Sequence, residues 1–160
     1  MADLLDPVDR VLDRPFLFRD RPASAPSDLR PVWRVPVVAL LISFCRGQKA
    51  THEQLHVLNW AVRSSASAEM LAAFMAGHTE PERAIVRLEP ALDRATALAR
   101  GFGLIEWEGR FWTLTDGGHE LLEAVWADEE LLVREKTLLG SLPDALTQTQ
   151  VNRLLSRTAS

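Results

Sequence analysis

The 160-residue sequence lacks features that would place it directly in a functional class, beginning with cysteine. Its single cysteine, Cys45, excludes an internal disulfide and is typical of a protein in a reducing cytoplasm. No His–Asn partnership surrounds this thiol in the sequence. Because Cys45 lies between Phe44 and Arg46 at a predicted helix end, we interpret it as a small core residue rather than a nucleophile.

Long apolar runs and an excess of positive charge are also missing. The longest apolar run, Val35–Cys45, is too short to cross a bilayer, and the acidic N-terminus has no apolar segment typical of a signal peptide. We therefore expect a cytoplasmic protein without a membrane partner. The net charge is −4. Since phosphate contacts dominate affinity for duplex DNA, this acidic total favours a protein partner.

Residues 1–34 have the composition of an extended arm. Five prolines exclude a long helix, and six arginines make this the most basic part of the chain. Phe16, Phe18 and Trp33 are apolar anchors that we expect to contact a partner. Two interpretations stay open: a solvated tether, or an extended peptide that lies along a partner or a nucleic acid.

The stretch Pro90–Glu123 predicts a helix, a β-hairpin and a second helix. Apolar residues recur at helical spacing in its first part: Leu92, Ala95, Ala99 and Phe102. Two alternating segments, Leu104–Trp107 and Arg110–Leu114, then flank a Glu-Gly turn, and Thr115 or Asp116 can cap the following helix. The pattern resembles the recognition helix, wing and following helix of winged-helix proteins. This resemblance implies a mainly α fold with a small β-hairpin wing.

Further elements complete the expected domain. Helices are predicted over Pro36–Arg46, over Thr51–Arg63 with a Thr51/Gln54 capping box, from a Ser67 cap through Ala76, from Gly117 to about Leu139, and after a Thr147/Gln150 capping box. Ala84–Leu88 is interpreted as the small strand that completes the sheet of the wing. The chain is thus divided into an arm (1–34), a winged-helix domain (35–140) and a C-terminal capped helix (141–160).

The segment His52–His56 reads HEQLH and matches the H-E-x-x-H pattern of zinc peptidases. Histidines four residues apart on a helix can hold Zn²⁺ while the glutamate polarises a water. The extension that supplies another ligand is absent, and a third ligand would have to come from Glu69, Glu80 or Glu82. We interpret these histidines and the glutamate as ordinary surface residues of a helix start. We expect no metal, no cofactor and no catalytic residue.

The recognition-like helix carries little positive charge. Its predicted outward positions are Asp93, Arg94, Ala97 and Arg100, and the tip of the hairpin adds Arg110. These three arginines are the candidate DNA contacts, but they are few for a helix that reads a major groove. Trp107 and Trp112 share a strand face with Ile105 and are expected to pack on the core.

Three segments resemble the middle components of ABC-three-component systems, including the small subunit of Lamassu-type bacterial defence systems. They are Leu55–Arg63 (LHVLNWAVR), Arg87–Ala95 (RLEPALDRA) and the Gly-Leu-Ile…Leu-Thr pattern of the wing, followed by the capped terminal helix. The resemblance implies a winged-helix adaptor between an SMC- or Rad50-like ATPase and an effector such as a nuclease, possible DNA within that complex, and no active site.

Three functions follow as hypotheses. A non-enzymatic adaptor would bind proteins through apolar or acidic surfaces, such as the arm or the acidic face around Glu129 and Glu130. A regulator like those of the MarR or PadR families would be a homodimer with a basic recognition face. The third is the zinc peptidase. The weak cationic content of Pro90–Arg100 favours the adaptor over the regulator.

Overall fold

The computed structural model describes residues 30–78, 86 and 88–158, with the backbone alone at residues 30, 31, 157 and 158. This part of the chain is mainly helical and contains a three-stranded antiparallel sheet. The helices are α1 (Arg30–Trp33), α2 (Val35–Ser43), α3 (His52–Ala61), α4 (Ser65–Met75), α5 (Pro90–Gly101), α6 (Asp116–Ala127), α7 (Val133–Gly140) and α8 (Gln148–Thr158). The strands are β1 (Lys49–Ala50), β2 (Ile105–Glu108) and β3 (Phe111–Leu114).

Helix α2 lies at the centre of the core. Its side chains are apolar on nearly every side, and Val38, Leu40, Leu41 and Ile42 are completely buried, as the sequence predicts. Helices α5 and α6 pack against it. Cys45, just beyond α2, is also in the core, and its burial raises the pKa of the thiol to about 12. The interpretation of Cys45 as a core residue is therefore confirmed.

The sheet is built from the predicted hairpin and a very short third strand. In the hairpin, Trp107 lies opposite Trp112, and Gly109 has a φ of +64° in the turn. Strand β1 pairs with the edge of β3 opposite to β2, so the strand order is β1-β3-β2. Ala84–Leu88 was predicted to supply this third strand. The prediction is wrong for Val86 and Leu88, which are not in a strand, and residues 84, 85 and 87 lie outside the described residues.

The expected long helix from Gly117 to Leu139 is wrong. The chain breaks between α6 and α7 because Asp128 Oδ1 accepts hydrogen bonds from the backbone N–H groups of Glu130 (2.9 Å) and Leu131 (3.0 Å). A carboxylate that binds nearby amides competes with helical hydrogen bonds. Leu132 then adopts a left-handed conformation, with φ of +53°. Glu129 therefore lies in an exposed connection rather than on a helix face.

Side-chain caps mark the starts of four helices, α3, α4, α6 and α8. The Thr51/Gln54 capping box at α3 is present in both directions, Thr115 caps α6, and Thr147 with Gln150 precedes α8, as predicted. The cap of α4 is Ser64 rather than Ser67. Helix α8 joins the common core through Val151 and Leu154. Gln54 Nε2 also donates to the Leu146 carbonyl oxygen (2.7 Å) just before α8.

Two apolar residues are more exposed than the sequence pattern predicts. Phe102, expected on the inner face of α5, lies at the C-terminal cap of that helix and is 60% exposed. Trp107 is 46% exposed, although it shares a face with the buried Ile105, because the tip of the hairpin extends beyond the core. No helix in residues 30–78 or 88–158 is long and apolar enough to cross a bilayer.

Candidate functional site

Among the described residues, those predicted to bind a partner or DNA are spread over several elements. Phe16 and Phe18 lie outside the described residues, whereas Trp33 ends α1 and is 66% exposed. Glu129 and Glu130 are exposed in the connection before α7.

The candidate DNA contacts are spread over α5 and the hairpin. Arg94 and Arg100 are exposed on the outer face of α5, as expected. Arg110 lies at the turn of the hairpin, with its guanidinium 5.1 Å from the centre of the Phe111 ring.

The HEQLH segment gains a partner that the sequence did not indicate. His52 and His56 lie on one face of α3, and Asp93 of α5 lies opposite them. Asp93 Oδ1 is 2.9 Å from His56 Nε2 and 3.3 Å from His52 Nε2. Of the three glutamates considered as a third ligand, Glu69 is on the surface of α4, whereas Glu80 and Glu82 lie outside the described residues. The expectation of a surface histidine is wrong for His56, whose side chain is completely buried.

These three side chains fit a metal ion in composition and spacing. One ligand atom from each of His52, His56 and Asp93 falls within 4.8 Å of the others, and imidazole and carboxylate are ordinary Zn²⁺ ligands. Glu53 would be the water-activating base of the peptidase motif. It is exposed and lines a cleft that also includes His52, Trp107 and Arg110.

The hydrogen bonds of His56 oppose its use as a metal ligand. The backbone N–H of Glu89 donates to His56 Nδ1 (3.1 Å), so the ring proton is assigned to Nε2, which donates to Asp93. A metal on Nε2 would require this proton to leave or to move to Nδ1, where it would oppose the Glu89 N–H. Metal-binding histidines instead use the second nitrogen as a donor. His56 thus acts as a hydrogen-bonded link between α3 and α5, and the absence of a metal stays a prediction.

Glu89 is the centre of a polar network that the sequence analysis did not identify. Its carboxylate accepts from Asn59 Nδ2 (2.7 Å), and it lies 3.1 Å from Arg34 Nη1 and 3.9 Å from Arg63 Nη1. Burial raises the pKa of Glu89, but the hydrogen bonds from Asn59 and Arg34 and the charges of Arg34 and Arg63 outweigh burial, so the pKa is lowered. A signal was present in the sequence, because Asn59 and Arg63 are four residues apart within the predicted helix Thr51–Arg63.

This network forms one wall of a cleft of about 350 Å³, which we call the arginine cleft. It is lined by Trp33, Arg34, Val37, Asn59, Val62, Arg63, Leu132, Arg134 and Glu135. Arg134 reaches across from α7 and donates to the backbone carbonyl of Arg63. Three guanidinium groups therefore meet beside an exposed tryptophan.

The outer face of α5 and the hairpin is not cationic. From residue 90 to residue 112 the chain has three carboxylates (Asp93, Glu106, Glu108) and three guanidiniums (Arg94, Arg100, Arg110). The nearby Lys49 is paired with Glu108 at 2.8 Å. Trp107 packs edge-on against Trp112, with ring centres 4.7 Å apart. This face therefore offers aromatic surface with nearly balanced charge.

Comparisons with known proteins identify no relative: no protein-family model, no curated protein and no solved structure matches the chain significantly.

Proposed function

We propose that the chain is a non-enzymatic winged-helix adaptor that binds an SMC- or Rad50-like ATPase and an effector of the nuclease type in a bacterial anti-phage defence complex. The observation that carries the proposal is the balanced charge of the α5–hairpin face, where a DNA reader has a basic surface. The sequence resemblance to middle components of ABC-three-component systems supports the choice of partners.

Exposed aromatic surface supports protein binding by the same chain. Trp33, Phe102, Trp107 and Trp126 are each at least 46% exposed. Aromatic residues are enriched among those that dominate the energy of protein interfaces. The histidine cluster supports a structural rather than a catalytic role, because both ring nitrogens of His56 are hydrogen-bonded, one to Asp93 of α5 and the other to the backbone N–H of Glu89.

Co-expression with the proposed partners tests the adaptor function. An affinity tag on the ATPase is expected to co-purify the untagged wild-type chain. Phe16→Ala with Phe18→Ala is expected to keep the unfolding midpoint and to lose co-purification, because these two side chains are the apolar anchors of the arm. The matched control is Phe111→Ala in β3, which changes an aromatic residue away from the arm.

Two outcomes contradict parts of this account. If the Phe16→Ala/Phe18→Ala variant unfolds, the arm belongs to the core and is not a docking segment. If the wild-type chain does not co-purify with either partner, the adaptor function is wrong.

A further inference from the structure

The arginine cleft is assembled from three separate elements. Arg34 lies between α1 and α2, Arg63 follows α3, and Arg134 belongs to the first turn of α7. The break after α6 makes this meeting possible, because the left-handed Leu132 turns the chain so that Arg134 reaches the Arg63 carbonyl. A continuous helix through Leu132 would carry Arg134 along the axis of α6 instead.

Within the part of the chain that the structure describes, Arg63 and Arg134 keep unused hydrogen-bond donors. Arg34 is engaged by Glu89 at 3.1 Å. The side chain of Arg63 is 62% exposed, and the nearest carboxylate oxygen among the described residues, on Glu89, is 3.9 Å away, beyond hydrogen-bond distance. Arg134 donates one N–H to the Arg63 carbonyl oxygen, and its other N–H groups have no acceptor among the described residues. Since a guanidinium has five donors in a planar fork, Arg63 and Arg134 are suited to bind carboxylates in bidentate geometry.

Apolar side chains adjoin the cleft. Trp33 lines it and is 66% exposed. Val37, Val62 and Leu132 also line it and are partly or fully buried. Trp33 is one of seven large hydrophobic residues exposed in residues 30–78 and 88–158. Exposed apolar surface beside a charged centre is typical of an interaction site.

We propose that the arginine cleft binds an acidic segment of a partner protein that also carries apolar residues. Carboxylates of the segment bind Arg63 and Arg134, and a neighbouring apolar side chain packs on Trp33. Three guanidiniums face two carboxylates here, Glu89 and Glu135, whereas the whole chain has a net charge of −4. The cleft is therefore a local excess of positive charge on an acidic chain, and this complementarity favours an acidic segment. This inference rests on the adaptor function and names the chemistry of one partner.

A fluorescence-anisotropy titration of the full chain tests the proposal. The probe is a fluorescein-labelled peptide in which glutamate and leucine alternate, and a peptide of alternating lysine and leucine is the reversed-charge control. The wild type is expected to bind the acidic peptide alone. Arg63→Ala with Arg134→Ala is expected to weaken binding at least about tenfold, because two charge-assisted contacts are lost. Arg63→Lys keeps the charge but loses the fork, so it gives a smaller loss.

Matched variants separate the cleft from general electrostatics. Arg94→Ala with Arg100→Ala removes the same charge from α5 and is expected to leave peptide binding unchanged, whereas Trp33→Ala weakens it. A photo-cross-linking amino acid at position 33 is expected to label the acidic peptide. Cross-links to residues 1–29 or to a second copy in place of the peptide would overturn the proposal. Equal binding of both peptides, or preferential binding of an oligothymidylate, would also overturn it.

The experiments distinguish a failure of the cleft proposal from a failure of the adaptor proposal. A chain that still co-purifies with the ATPase when Arg63 and Arg134 are both alanine is an adaptor that uses another surface. If the chain binds the acidic peptide through Arg63 but co-purifies with neither partner, the cleft proposal is supported and the adaptor proposal is wrong.

Discussion

Glu89 joins elements that are distant in the sequence, and its ionised form is the one the fold stabilises. Its amide binds His56 and its carboxylate binds Asn59 and Arg34, so one residue connects α3, the start of α2 and the start of α5. The lowered pKa of Glu89 means that the folded state holds this proton less tightly than the unfolded state does. The resulting stabilisation is present above the ordinary pKa of a glutamate and is lost as the pH falls through the lowered value.

Glu89→Gln is expected to lower the free energy of unfolding by about 1–3 kcal/mol at pH 7, since charged hydrogen bonds to Asn59 and Arg34 are weakened. The difference from wild type should shrink as the pH falls and Glu89 becomes protonated. Urea denaturation at neutral and acidic pH measures both effects. Glu123→Gln, on the exposed side of α6, is the control and should change stability little. A difference that stays constant with pH would contradict the assignment of an ionised Glu89.

His56 is expected to be structural and independent of metal. His56→Ala leaves the Glu89 N–H without its buried acceptor and opens a cavity, so it should cost about 3 kcal/mol. His52→Ala, at the exposed end of the cluster, should cost less than about 1 kcal/mol.

Metal analysis and chemical denaturation with and without EDTA check the two histidine substitutions. Untagged protein should contain far less than one zinc per chain, and EDTA should not change its stability. Stoichiometric zinc in the wild type that is lost in either variant would contradict this prediction and establish a metal site.

At the scale of elements, most helix positions followed from sequence patterns, whereas the short helix α1 inside the predicted arm and the break between α6 and α7 did not. The capping boxes at Thr51 and Thr147 and the hairpin around Gly109 are encoded within a few residues, so local rules identify them. Strand β1 has two residues, too few to show alternation. The break at Asp128 depends on one carboxylate turning back to two amides, which periodicity alone cannot distinguish from a helix.

The candidate site was less predictable than the helices, because its residues meet only in three dimensions. The helix-face spacing of His52 and His56 was readable from the sequence, but their partner Asp93 lies 37 residues beyond His56. The arginine cleft likewise joins Arg63 to Arg134, 71 residues apart. Contacts between residues so far apart in the chain cannot be inferred from a single sequence.

The glycine pair at the start of α6 provides a matched test of how this helix packs against the hairpin. A Cβ at Gly118 would lie 2.0 Å from the Leu104 carbonyl oxygen, a backbone atom that cannot move aside alone. Gly118→Ala is therefore expected to cost about 3 kcal/mol. A Cβ at Gly117 would approach no atom closer than 3.7 Å, so Gly117→Ala should change stability by less than about 1 kcal/mol, in the stabilising direction. Thermal unfolding of both variants measures the contrast, and equal effects would contradict the described packing.

At the scale of the whole molecule, both the surface chemistry and the core structure bear on the proposed adaptor function. The histidines that match a catalytic motif are engaged in joining helices, and the helix that resembles a DNA reader is balanced in charge. In the part of the chain that the structure describes, the other distinctive surfaces are the exposed aromatic residues and the arginine cleft. These properties are the basis of the proposal that the chain acts by holding other proteins.

The most direct test of this account is a titration of duplex DNA with the isolated full chain at physiological salt. Duplexes selected from a random-sequence library should be followed by fluorescence anisotropy, beside the variant Arg94→Ala with Arg100→Ala. The adaptor account predicts dissociation constants no tighter than about 10⁻⁴–10⁻⁶ M, the ordinary range of non-specific binding, for every duplex. Nanomolar binding to a particular sequence, abolished in the double variant, would contradict it and establish a DNA-binding regulator.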